Sequence, residues 1–123
     1  QRLLNSAKMT LMDVPYTLEE LNDAQVKLLQ ENELFEGAYI RPLVYLGYGV
    51  MGLYHKDAPV HVSISAWDWG AYLGEEGLKK GVRVKISSMT RTPNKSGMGK
   101  AKAVVNYINS QMAKYEAVEA VYD

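Results

Sequence analysis

Gly47-Tyr48-Gly49-Val50-Met51-Gly52 is the stretch that most restricts the fold, because its spacing admits two architectures and its surroundings admit one. A G-x-G-x-x-G turn that follows a strand and opens a helix builds a dinucleotide site in a parallel α/β sheet, with the helix N-terminus facing the pyrophosphate. Here the aromatic and β-branched run 37–46 does precede the glycines, but the chain then passes through His55, Lys56, Asp57, Ala58 and Pro59 into a second strand. Val60, Val62, Ile64 and Ala66 alternate there with His61, Ser63 and Ser65, the period of a half-buried strand. The glycines therefore join two strands, and the dinucleotide reading falls. Pro42 lies inside the first strand and cannot donate to a ladder, which puts it at an edge or a bulge.

Helical patterns surround this strand pair. Residues 1–9 carry Leu3, Leu4 and Ala7 on one side, without a capping residue before them. Pro15 breaks the pattern, and Thr17 with Glu20 then forms a capping box ahead of Leu18, Leu21, Leu28 and Leu29, predicting a helix to about Glu31. Trp67 to Gly74 is an aromatic, glycine-bounded connection that either pins itself to the core or walls an apolar pocket. Val82, Val84 and Ile86 alternate with Arg83 and Lys85, predicting a further strand. The spacing of Ala101, Val104, Val105, Ile108 and Met112 predicts a helix over 99–115 with these residues buried, and 117–123 alternates like a strand. The expected class is α+β, with antiparallel or mixed strands and flanking helices. The chain starts inside a helical pattern and stops inside a strand-like one, so it reads as an internal piece of a longer protein.

With 123 residues and 47% apolar content the chain can bury one core. Fourteen basic and fourteen acidic residues cancel, which leaves no electrostatic case for nucleic acid or an anionic membrane. No apolar run reaches the roughly 18 residues of a membrane span, and no signal peptide is visible, so a cytoplasmic protein is expected. Without cysteine there is no disulfide or thiolate metal site. His55 and His61 are six apart with Pro59 between them, which excludes a helical metal pair, and no metal site is expected.

Ser87 to Asn109 is the stretch where chemistry is most expected: a strand-like run ends, a polar loop with Pro93 and Gly97 follows, and a helix-like run opens behind Lys95, Lys100 and Lys102. Gly97-Met98-Gly99-Lys100 is not a phosphate loop, since Asn94 stands where the first glycine is required and Ala101 where Ser or Thr should follow the lysine. A lysine in apolar surroundings can become a nucleophile at neutral pH and hold a carbonyl cofactor covalently. Lys102, between Ala101 and Ala103 and ahead of Val104-Val105, has a more apolar setting than Lys95, yet an exposed, inert lysine satisfies the same pattern.

The chain resembles the fold-type IV pyridoxal-phosphate aminotransferases, and within them the branched-chain amino acid aminotransferases. The matching pieces are Gln1-Arg2-Leu3 with Ser6-Ala7-Lys8, Ala38 to Leu43, Trp69 to Gly74, Ser87-Ser88 through Arg91 with Pro93-Asn94, and Ala101-Lys102-Ala103 with Asn106-Tyr107. They fall in the family's order and cover nearly the whole chain. The resemblance implies that Lys102 bonds pyridoxal 5'-phosphate and shuttles a proton, that Arg2 holds the cofactor phosphate, and that Tyr107 hydrogen-bonds its phenolic oxygen. It further implies that Tyr39 and Arg41 line the substrate site, the arginine accepting the distal carboxylate of glutamate, while Trp69 and Tyr72 wall the apolar side-chain pocket. Leu53 would reach the neighbouring subunit's pocket, making a homodimer or higher homo-oligomer the catalytic unit.

The implied organisation is a small domain over 1–67, an interdomain connection over 68–81, and the start of a large cofactor-binding domain over 82–123. The implied reaction moves the amino group of leucine, isoleucine or valine to 2-oxoglutarate; a D-amino acid transaminase or an aminodeoxychorismate lyase of the same fold, or a non-catalytic structural fragment, is the alternative. Tyr39-Ile40-Arg41-Pro42 favours the branched-chain reading over both related enzymes. The family's first strands and most of its large domain, with the glutamate that pairs with the pyridine nitrogen, have no counterpart in these residues, so the piece alone is expected to be inactive or nearly so. Val104-Val105 departs from the family by placing bulk where many relatives have small residues.

Overall fold

The structure is a computed structural model that describes residues 1–70, 73–93, 95 and 98–122. It divides into two compact units, Gln1–Gly70 and Ala71–Asp123, which are taken in turn.

The first unit is a two-stranded antiparallel hairpin with two helices on one face. Strand β1 (Ala38–Leu46) pairs with β2 (Val60–Asp68) in a register that sets Tyr39 opposite Trp67, Arg41 opposite Ser65 and Leu46 opposite Val60. Because side chains alternate along a strand, Ile40, Pro42, Val44, Val62, Ile64 and Ala66 share the half-buried face. Tyr39, Arg41, Leu43, Tyr45, His61, Ser63, Ser65 and Trp67 share the other face, which carries no carboxylate. Helix α1 (Arg2–Met9) contacts β1, and α2 (Leu18–Glu31) contacts β2. Ala7 of α1 and Leu21 of α2 are the buried apolar side chains of that layer, and Ser6 of α1 is buried beside Ala7.

Local chemistry accounts for these bounds. The capping box forms as the spacing predicts: the Thr17 amide donates to Glu20 Oε2 at 2.7 Å, and the Glu20 amide donates to Thr17 Oγ1 at 3.2 Å. The backbone bond from Thr17 is the main reason the Glu20 carboxyl titrates below its ordinary range. At the hairpin end, the Gly47 amide donates to the Pro59 carbonyl at 2.6 Å. A Cβ on Gly47 would collide with the His61 imidazole and lie 2.9 Å from Pro59 Cγ, so any larger residue requires both side chains to shift.

The second unit holds helix α3 (Gly74–Lys80), a 3-10 turn (Val104–Tyr107) and helix α4 (Ile108–Glu119). Three expectations are corrected here. Residues 82–86 form no strand, since a ladder needs a partner and no described residue supplies one; Ile86 is 97% exposed. The helix predicted over 99–115 begins only at Ile108 after the 3-10 turn, and of its predicted buried face only Ala101 is buried. The alternation over 117–123 is no strand either, because α4 runs on to Glu119.

Segment 85–90 is held against α4 by Glu116. The Ser87 hydroxyl donates to Glu116 Oε2 at 2.6 Å, the Ser88 amide donates to the same oxygen at 3.0 Å, and Lys85 Nζ lies 3.0 Å from Oε1. Ser87 first, then Lys85 and the Ser88 amide, hold the Glu116 carboxyl down to about 2 from its ordinary 4.5. A carboxyl lowered by folding stabilises the fold above its unfolded value and loses that contribution as pH falls through its folded value. Amide-exchange protection at Ser88 in the full-length protein is therefore expected to hold above pH 4.5 and to fall away towards pH 2. Glu116→Gln should give weaker protection that does not change over that window; an unchanged pH profile in the variant would assign the dependence to another group.

Candidate functional site

Two side-chain groups stand out, one in each unit. In the first, the hairpin register gathers an aromatic cluster on the open face. The Tyr39 and Trp67 rings, cross-strand partners, lie 5.0 Å apart, and Trp69 meets Tyr39 edge-on at 4.4 Å and stacks on Trp67 at 5.6 Å. Trp69 is held there by backbone: its amide donates to the Gly37 carbonyl, and the Gly70 amide donates to Asp68 Oδ1 at 3.1 Å. The Arg41 guanidinium carbon lies 5.5 Å from the Tyr39 centroid and 5.2 Å from the Trp67 centroid, within cation–π range of both. An apolar wall beside an uncommitted cation suits a ligand with a hydrocarbon body and a carboxylate.

In the second unit, the Lys102 amine donates to the Tyr107 hydroxyl and stands 4.6 Å from that ring's centroid. Lys102 lies just ahead of the 3-10 turn and Tyr107 is the turn's last residue, five positions on. Asn106 fixes the turn's approach: its Nδ2 donates to the Met98 carbonyl at 3.0 Å and to the Ala101 carbonyl at 2.9 Å. Asn109 does the same for the preceding loop through the Thr90 carbonyl. Lys102 is exposed and its neighbour Ala101 is buried. Val104 and Tyr107 border an open apolar groove, with Val104 and Val105 themselves largely exposed. An amine and a phenol in contact are a fitting pair for an aromatic aldehyde with a phenolic oxygen, one supplying the covalent anchor and the other a hydrogen bond.

The structure thus brings together Tyr39, Arg41 and Trp69 in one group and Lys102 and Tyr107 in another. Arg2 is exposed at the start of α1, with no ion pair among the described residues. Leu53 is fully exposed in the loop 47–59, alongside Met51 and Tyr48. Tyr72, Asn94 and Gly97 lie outside the described residues. Sequence reasoning missed two contributors. Trp67 was legible only as part of a connection, although its parity with Ser63 and Ser65 along β2 puts it on the open face opposite Tyr39. Glu116 had no local signal, because its partners lie 28 and 29 residues away.

The family model described as amino-transferase class IV matches residues 1–123. A branched-chain-amino-acid aminotransferase of Pseudomonas aeruginosa is 45% identical over 122 residues, covering 99% of this chain and 39% of the relative. The enzyme of that name from Escherichia coli K12 is 38% identical, with 95% of this chain and 38% of the relative covered. A crystal structure of the Escherichia coli branched-chain amino acid aminotransferase superposes with a TM-score of 0.86 at 37% identity, covering 99% of this chain and 40% of that one. The chain spans about two fifths of the length of the curated relatives it matches.

Proposed function

The chain belongs to the amino-transferase class IV family, and from that membership we propose that the full-length protein transfers the amino group of branched-chain L-amino acids to 2-oxoglutarate with pyridoxal 5'-phosphate. The observation that carries this reading is the contact between the Lys102 amine and the Tyr107 hydroxyl. Pyridoxal 5'-phosphate, when bound, supplies the electron sink that stabilises charge left on the substrate α-carbon.

The chain's own residues do the rest. Lys102 would hold the cofactor covalently through Nζ, and the same amine would carry the proton of the substrate α-carbon. Tyr107 accepts a hydrogen bond from that amine, and its own O–H would donate to the cofactor's phenolic oxygen. Arg2 binds the phosphate through a permanently charged forked donor. Trp69, with Tyr72, walls the pocket for an aliphatic side chain, and Tyr39 and Arg41 orient the substrate, Arg41 taking the distal carboxylate of glutamate in the second half-reaction. Leu53 projects from its loop into the neighbouring copy's pocket, so the working unit is a homodimer or a larger homo-oligomer, in the cytoplasm. In this reading residues 1–67 belong to a small domain, 68–81 to the connection, and 82–123 to the start of the large domain.

The test is chemical trapping. Full-length protein incubated with pyridoxal 5'-phosphate and reduced with borohydride should carry the phosphopyridoxyl mass on the peptide containing Lys102, and leucine should be consumed as glutamate appears. A label on Lys95 or Lys100 instead would refute the assignment.

A further inference from the structure

We infer that Trp67 is a positioning residue that holds the Arg41 guanidinium ready for the distal carboxylate of a dicarboxylic substrate. This rests on reading Arg41 as the seat of that carboxylate. Arg41 faces Ser65 across the hairpin, and Trp67 is its diagonal neighbour on the open face. Ser65 is too small to block the arginine, so the side chain can lean across the strands until its guanidinium carbon is 5.2 Å from the indole centroid. Trp67 is half-buried while Arg41 is exposed, and Trp69 stacks on the indole at 5.6 Å, so the indole is the more enclosed partner against which the guanidinium rests.

The kind of contact decides what the arginine is left able to do. A salt bridge would fix the side chain equally well but would use its N–H fork and cancel its charge. A cation–π contact, with the guanidinium carbon 5.2 Å from the indole centroid, uses no carboxylate and leaves the N–H groups available for the two parallel hydrogen bonds a carboxylate accepts. No acid shares the open face of the hairpin, and among the described residues no carboxylate pairs with Arg41. A free arginine side chain loses rotamer freedom on binding a ligand, so one already laid on an indole binds with less of that loss. Tyr39 adds a second ring at 5.5 Å, but Trp67 presents the larger and less exposed face.

The experiment compares full-length, cofactor-loaded wild type with Trp67→Leu, Trp67→Phe and Arg41→Gln. Two unreactive ligands are titrated, glutarate as the dicarboxylate and 4-methylpentanoate as the branched monocarboxylate, and kcat/KM is measured for the glutamate and leucine half-reactions. Trp67→Leu is expected to shift both ligand preference and kcat/KM ratio against the dicarboxylate by roughly 3- to 30-fold, while Trp67→Phe, which keeps a ring face, recovers most of the shift. Arg41→Gln should shift the same ratios further. If Trp67→Leu weakens both ligands alike, or costs leucine more than glutamate, Trp67 is a pocket wall and the inference is overturned while the Arg41 reading stands. If Arg41→Gln leaves the ratios unchanged, the Arg41 reading itself fails and the inference with it.

Discussion

Lys102→Ala in the full-length protein is expected to abolish borohydride-trappable cofactor and to lower transamination of leucine by about 100- to 10,000-fold through lost proton transfer alone. The cause is local. The alanine removes the amine that donates to the Tyr107 hydroxyl, and among the described residues no other lysine donates to that hydroxyl. Exposure of the lysine also means that its removal leaves no buried cavity, so the variant should fold and its loss should be read as chemistry. Tyr107→Phe separates anchoring from reaction: the covalent bond should still form, while turnover falls by less, because the amine is kept and what is lost is the hydroxyl that holds it and that would hydrogen-bond the cofactor's phenolic oxygen. Two measurements check this, mass of the reduced adduct and single-turnover rate with leucine. Full activity in Lys102→Ala would end the proposed mechanism, and equal adduct in Lys102→Ala would end the site assignment.

The first unit was legible because its signals are local or of period two. The capping box needs only Thr17 and Glu20, three residues apart, and the alternation over 60–66 names both faces of β2 before any partner is known. The hairpin followed from the same alternation on either side of a glycine loop, and its exact register followed from nothing local. That register is what places Trp67 over Arg41, which is why Trp67 stayed hidden.

The helix ends and the second unit were less legible, for definite physical reasons. Helices α1, α2 and α4 each close with a left-handed residue that is not glycine, Leu11, Glu33 and Val121. In each, the next residue's amide reaches the carbonyl five positions back, as from Met12 to Ala7, so the turn is fastened by backbone and leaves no glycine to read. Residues 82–86 have strand spacing, but spacing cannot supply a partner. The segment is instead tied to α4 by one carboxylate far along the chain. Of the candidate site, Lys102 with Tyr107 was readable by resemblance and not by periodicity, since a 3-10 turn follows neither helical nor strand spacing.

Leu21→Ala is the substitution expected to cost most in stability. Leu21 is the one large hydrophobic side chain among the described residues that is buried, at 7% exposure, and it sits on the helix that contacts β2. Truncating a buried leucine costs the transfer free energy of the lost carbons and leaves a cavity, together about 2–5 kcal/mol. The other buried apolar residues described in this unit, Ala7 and Ala58, are too small to fill such a space. Amide exchange in β1 and β2 of the full-length protein should therefore accelerate by at least about 30-fold in Leu21→Ala, with Leu21→Met nearer wild type because volume is conserved. The effect should also reach the open face. Tyr39, Arg41 and Trp67 are placed by the same two strands, so a hairpin that opens more often presents the arginine less often, and glutarate affinity should fall in step with protection. Faster exchange confined to α2, with β1 and β2 unchanged, would show that the hairpin holds itself without the helix and that the two faces are energetically independent.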